Sequence, residues 1–248
     1  EPGTAYEARF VVSDPDGVAG EATRTVTVRT RPEPVPSTGG RVFHVYPHGF
    51  AGARVEPSFE GLMCAYNYTC AGTDWATAGR PRVKAGDTIL VHAGLYKYNR
   101  LEYTNNASVN RTVPLDGTYY LTADGTPEMP VAIKAAGDGE VFDGAGNSVL
   151  FDVKAADYAY FEGITFRNTD IAISAGTQFI AGSKGLTVKR SRFENVAAGI
   201  FTNFSGSSNF YVADSYFIGR NDPDRVIGWS GNFWAPFDGV DGQKFPPV

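Results

Sequence analysis

Four aspartates, Asp222, Asp224, Asp238 and Asp241, cluster around Arg225, and Lys189 with Arg190 lies some thirty positions upstream. Calcium takes several oxygen ligands, and loop carboxylates can supply them. A cation held this way would neutralise the carboxylate of an acidic sugar while Lys189, Arg190 or Arg225 moves the carbon-bound proton or protonates the leaving oxygen. The expected cofactor of such a reaction is therefore Ca2+. The preferred reading from residue type is that Asp222-Pro223-Asp224, Asp238-Gly239 and Asp241-Gly242 are solvated turns, with the calcium set as its alternative.

A second candidate set is aromatic. Tyr96, Tyr98 and Tyr103 surround Lys97 and Arg100, and Trp229 and Trp234 flank a glycine-rich stretch. Flat apolar faces with polar edges suit sugar rings, though the same rings could instead pack loops onto the body of the protein.

His44 and His48 are four apart, but Pro47 and a β-type pattern remove the helical face that makes such spacing a metal clamp. His92 follows the apolar run Ile89–Val91, so all three histidines read as structural. No Ser-His-Asp or Cys-His set can be assembled, and no phosphate-cradling loop precedes a helix. Cys64 and Cys70 are the only cysteines. Without Cys-x-x-Cys spacing or histidine partners they favour a disulfide in an oxidising compartment over a metal site or free thiols. Sequons stand at Asn67, Asn106, Asn110 and Asn203.

The elements that must position these residues come from one recurring pattern. Ala159, Phe161, Ile164, Phe166, Asn168 repeats as Leu186, Val188, Ser191, Phe193, Asn195 and again as Phe210, Val212, Ser215, Phe217, Gly219. Phe166 to Phe193 is 27 positions and Phe193 to Phe217 is 24, in the range of repeat architectures. Each copy alternates apolar residues and stops at Asn or Gly, as a short strand ending in a turn does. Such strands stack in parallel, each copy burying its inward side chains against the next. The expected fold is all-β, a parallel β-helix, in preference to a sandwich or propeller built from hairpins. Asn168 and Asn195 are expected to form a side-chain ladder at a turn.

The 248 residues are 42% hydrophobic and 13% aromatic, enough for a packed core. A net charge of -5 and a pI near 5.2 argue against a nucleic-acid partner. No apolar stretch approaches a bilayer span.

In chain order, 1–31 holds two β-like runs, Ala8 to Ser13 and Thr23 to Thr30, around the turn formers Asp14-Pro15-Asp16-Gly17. A lone hairpin is marginal in water, so these strands are expected to complete a larger sheet. Residues 32–41 form a Pro/Gly linker. Residues 42–86 give an opening strand, with Phe43 and Val45 on one face and His44 and Tyr46 on the other, then an irregular, cysteine-bearing lid or end cover. The strand coils occupy 87–221, and 222–248 is an aromatic loop expected to lead to further coils.

Three stretches resemble a known family. Lys84 to Tyr96 (KAGDTILVHAGLY), Pro130 to Gly144 (PVAIKAAGDGEVFDG) and Tyr160 to Asn168 (YFEGITFRN) are similar to successive coils of secreted right-handed parallel β-helix proteins of the pectate-lyase-like group. That resemblance, from about Arg41 onward, implies a right-handed helix in a secreted or cell-surface protein, with polysaccharide lyase or hydrolase chemistry among its uses. Asn168-Thr169-Asp170 resembles the Asn-Thr-Asp of polygalacturonase-like hydrolases, but that family's Asp-Asp pair, Gly-His-Gly and Arg-Ile-Lys are absent, so Asp170 is expected to be a turn residue. The N-terminal hairpin resembles the last strands of immunoglobulin-like modules of the polycystic-kidney-disease or cadherin type, which implies a piece of a longer chain.

Two functions follow as expectations. One is binding, with or without cleavage, of a polysaccharide or cell-surface glycan, an acidic one for a lyase. The other is a non-enzymatic structural, adhesin or filament role, with self-assembly or neighbouring surface proteins as partners.

Overall fold

The computed structural model describes residues 1–70, 80–97, 119–153, 156–176, 183–202 and 206–219. The chain forms two compact units, Glu1–Val35 and Pro36–Val248. Among the described residues no helix is long and apolar enough to cross a membrane.

The first unit is an antiparallel hairpin of β1 (Ala5–Val11) and β2 (Thr23–Arg29). Asp14 organises the turn: its Oδ1 accepts from the Asp16 N–H and its carbonyl from the N–H of Gly17, whose φ of 95° is open to glycine. Strand alternation gathers Tyr6, Ala8, Phe10, Val26 and Val28 on one face and Glu7, Arg9, Thr25 and Thr27 on the other. The apolar face is uncovered, with Phe10 58% and Val28 49% exposed.

The second unit is all-β with two parallel sheets. One contains β3 (Val42–Tyr46), β4 (Ser58–Glu60), β5 (Thr88–Val91), β8 (Val131–Ala135), β10 (Ala159–Glu162), β12 (Thr187–Lys189) and β14 (Tyr211–Ala213). Its spatial order is β14-β12-β10-β8-β5-β3-β4. The other contains β6 (Gly94–Lys97), β9 (Glu140–Asp152), β11 (Thr165–Ser174), β13 (Arg192–Phe201) and β15 (Tyr216–Gly219), ordered β15-β13-β11-β9-β6, with β7 (Tyr119–Tyr120) beside the far end of β9. From β8 onward the chain passes alternately through the two sheets, so each strand pairs with the one two places along.

Register makes columns of like residues. In the first sheet Phe43, Ile89, Ile133, Phe161, Val188 and Val212 align and face the core. In the second the column is Tyr96, Phe142, Phe166, Phe193 and Phe217. Phe166 and Phe193 stack with ring centres 4.9 Å apart and Phe193 and Phe217 at 4.4 Å, one strand spacing per step. Close rung contact restricts what can stand beside the rings: a Cβ on Gly199 would lie 2.5 Å from the Phe217 ring.

The corners repeat as well. Gly163, Arg190 and Asp214 follow the aligned Glu162, Lys189 and Ala213, and all three have left-handed φ, 75°, 49° and 51°. Asn168 and Asn195 bend β11 and β13 in the same conformation. Asn195 Nδ2 donates to Asn168 Oδ1 at 2.9 Å and Asn168 Nδ2 to Asp143 Oδ2 at 3.0 Å, the expected ladder with an aspartate at its base. Asp170 is a correction: it lies inside β11, because the bend is taken by Asn168.

The segment after β3 is less irregular than its sequence suggests. β4 adds in parallel to β3, and a short helix, α1 (Leu62–Tyr66), buries Leu62, Met63, Ala65 and Tyr66 against this end of the core. Five residues are too few for a helical period to show. Cys64 on α1 is disulfide-bonded to Cys70. The Asn67 sequon is another correction, since Asn67 is 1% exposed and closed to a glycan; Asn106, Asn110 and Asn203 lie outside the described residues.

Phe193, fully buried between two rings, should cost about 3–5 kcal/mol on truncation to Ala, whereas Phe217→Ala, half exposed, should cost roughly 1–2 kcal/mol. Denaturant midpoints of the two variants check this, and equal losses would contradict the column.

Candidate functional site

The same register that stacks phenylalanines inward aligns Lys134, Glu162 and Lys189 on the outer side of the first sheet, on β8, β10 and β12. Adjacent strands lie about 4.8 Å apart, so Glu162 sits between two lysines. Tyr160, two residues before Glu162, shares its face.

Glu162 is the hub. Its Oε2 accepts a short hydrogen bond from Tyr160 Oη. Its Oε1 accepts from Arg190 Nη2 at 2.6 Å and Nε at 3.2 Å, and lies 3.6 Å from Lys134 Nζ. Gly163, the corner one strand below, is required by its φ of 75° and by Ala135, whose Cβ would lie 2.8 Å from any side chain there. Lys189 is buried, 1% exposed, with its ammonium 5.3 Å from the centre of the Tyr160 ring. Burial works against the charge on Glu162, but the bonds from Tyr160 and Arg190 and the charges of Lys134 and Arg190 outweigh it and hold its carboxyl below the ordinary glutamate range. The result is three cations, one carboxylate and a phenol in one cluster, in which Lys134 and Arg190 reach solvent while Tyr160 and Lys189 are buried.

Of the residues expected from sequence to carry chemistry, Lys189 and Arg190 are brought together here. Lys134, Tyr160 and Glu162 were missed, although they follow from the repeat: Glu162 and Lys189 each come one residue after the aligned Phe161 and Val188. Tyr96 is a correction. Expected as an exposed sugar platform, it is 4% exposed, stacked on Phe142 at 4.8 Å, and its hydroxyl donates to the carbonyls of Val45 and His92. It occupies the aromatic column, so its ring faces the core. Arg225, Tyr98, Tyr103, Trp229, Trp234, Asp222, Asp224, Asp238 and Asp241 lie outside the described residues. Among the described residues no group of three or more His, Cys, Asp or Glu side chains is placed to hold a metal.

The histidines pair with other groups. His48 Nδ1 contacts the Glu60 carboxylate. His44 Nδ1 and His92 Nε2 approach to 2.9 Å, and His92 stacks on Tyr46 at 4.2 Å. Burial and the neighbouring His44 charge hold His92 below its ordinary value.

Both shifts make stability fall as pH falls, in two separate ranges. The lowered Glu162 stabilises the fold above the unfolded value near 4.5, and that contribution is lost as pH falls further. The lowered His92 lets the unfolded chain take up a proton that the folded chain refuses once pH drops below about 6.5, so stability also falls there. Thermal melts across pH should show His92→Gln flattening the upper step. Glu162→Gln should cost about 1–2 kcal/mol at pH 7 and flatten the lower step.

Set beside known protein families, curated proteins and solved structures, the chain matches none of them, and the chemistry of the Glu162 cluster is inferred from its geometry.

Proposed function

We propose that the second unit is a right-handed parallel β-helix of a secreted or cell-surface protein, whose outer flank binds an acidic polysaccharide and is equipped for lyase-type cleavage. The observation that carries this reading is the cluster of Lys134, Lys189 and Arg190 around Glu162 and Tyr160 on three adjacent strands. In a protein of net charge -5 a local excess of cations attracts anions by placement, not by overall charge.

A uronate carboxylate would pair with Arg190 and Lys134, which Glu162 holds in position between ligands. Its neutralisation makes the adjacent carbon-bound proton more acidic. A base then removes that proton, the electron pair forms a carbon–carbon double bond, and the bond to the leaving oxygen breaks as that oxygen gains a proton. Arg190 is the exposed proton-carrying group at this position, and Lys189 and Tyr160 beside it are buried. Asp222, Asp224, Asp238 and Asp241 remain, from sequence, the groups proposed to hold calcium as a further neutralising cation.

A second reading, assembly into a surface or filament structure, is favoured by the uncovered apolar residues Val212, Phe217 and Ile218 on β14 and β15. Sedimentation of the protein would show larger species in that case.

The test is incubation with a panel of glycans that includes polygalacturonate and alginate. Binding that weakens with salt, and new unsaturated chain ends detected by ultraviolet absorbance, are expected, with Arg190→Ala reducing both about tenfold or more, an order-of-magnitude expectation for losing a charge-assisted contact. Neither binding nor new ends on any glycan would remove the proposal.

A further inference from the structure

At the β4 end of the second unit, away from β8, β10 and β12, cations and aromatic rings alternate in one continuous series. The Arg80 guanidinium carbon is 5.2 Å from the centre of the Tyr68 ring and that of Arg82 is 5.1 Å from the same ring. Arg82 is also 4.9 Å from Phe59, Phe59 packs edge-on against Phe43 at 6.0 Å, and Arg41 is 5.0 Å from Phe43. Stacking on aromatic rings fixes a guanidinium plane while its edge N–H groups stay available for anions.

These arginines are unequally engaged. Arg41 is committed to Asp87, with Nη2 to Oδ2 at 2.5 Å and Nη2 to the Arg82 carbonyl at 2.8 Å. Arg82 donates Nε to the Asn67 carbonyl at 3.2 Å and Nη2 to the Tyr68 carbonyl at 3.4 Å, which locks its orientation and leaves Nη1. Arg80 has no acceptor for its guanidinium among the described residues, and Lys84 none for its ammonium. Both are exposed, while Val83 between them is 2% exposed. The run Arg80-Pro81-Arg82-Val83-Lys84 is held through Tyr68 N–H to the Arg80 carbonyl and through the N–H groups of Arg82 and Val83, both to the Tyr66 carbonyl, with one bridge between Asn67 and Pro81. Asp87 is the one carboxylate that pairs with this group among the described residues.

We propose that Arg80, Arg82 and Lys84 form a second anion-binding strip, distinct from the Glu162 cluster, that anchors a polyanionic glycan chain through its carboxylate or sulfate groups. Three cations within five residues, two of them stacked on Tyr68 and none paired with a carboxylate among the described residues, match charges repeated along a chain better than one isolated anion. The strip lies outside any proton-moving group, so it binds and does not cleave.

The test measures affinity of the full chain for polygalacturonate and for a heparin-type sulfated glycan as salt is varied. Lys84→Ala, whose side chain has no partner among the described residues, and the double variant Arg80→Ala/Lys84→Ala should weaken binding progressively, the latter about tenfold, with a shallower salt dependence and an unchanged melting temperature. Preference for one glycan identifies carboxylate or sulfate as the group read. Arg190→Ala leaves the strip intact, so binding that survives it while failing in the double variant supports the strip even if the flank proposal is wrong. Wild-type affinity in the double variant, or equally tight binding of a DNA duplex, would overturn the strip.

Discussion

In the second unit an inward side chain is covered chiefly by its counterpart on the next strand, and the rest of the architecture answers to that constraint. Phe161, Phe166, Val188 and Phe193 are completely buried, each with a like position on both sides. One step further along the same columns, Val212 is 44% and Phe217 51% exposed. The residue types hardly change; the number of covered sides does. Because the side-chain period of a strand is two, a slip of one residue would turn an entire column outward, so the apolar alternation holds the register tightly.

That register also decides what faces out. Read across the first sheet, the outer column runs His44, Leu90, Lys134, Glu162, Lys189, Ala213. Its charges gather on the three middle strands, which brings together side chains nearly thirty residues apart in sequence. The left-handed corner adds Arg190, whose guanidinium bonds to Glu162. The buried Glu162 carboxylate persists because its oxygens are bonded: removing a partner leaves it desolvated without compensation. The inward columns therefore supply the packing and the outward one the charged cluster, from the same strand pairings.

How much of this was legible follows from where the information sits. The phenylalanine column and the asparagine ladder are written in equal spacings, and they appear where those spacings put them. Lys134 and Glu162 obey the same spacing, but charges vary from copy to copy, so a pattern built on apolar residues passes over them. Tyr96 shows the converse limit. An isolated tyrosine near Lys97 looks like a surface ring until the register sets it against Phe142, and its hydroxyl finds two backbone carbonyls that permit burial. α1 escaped for lack of length, and the Arg80–Tyr68–Arg82–Phe59 series because its members come from separate segments of the chain.

The two cationic regions differ in a way that matters for how each meets an anion. At Glu162 the carboxylate and Lys189 are withdrawn from water while Lys134 and Arg190 reach it, so the buried pair is less screened than its two exposed partners. At Arg80 and Lys84 the charges stand in solvent, where screening reduces them within about 8 Å at physiological salt. An exposed strip of that kind gathers a charged chain quickly and releases it readily, while a desolvated cluster selects among the groups the chain presents. The Arg80–Lys84 run precedes β5 and pairs with the segment after α1, while the Glu162 cluster spans β8 to β12 of the sheet. A polyanion of the kind proposed, long enough to reach both, would make its second contact at the high local concentration set by the first.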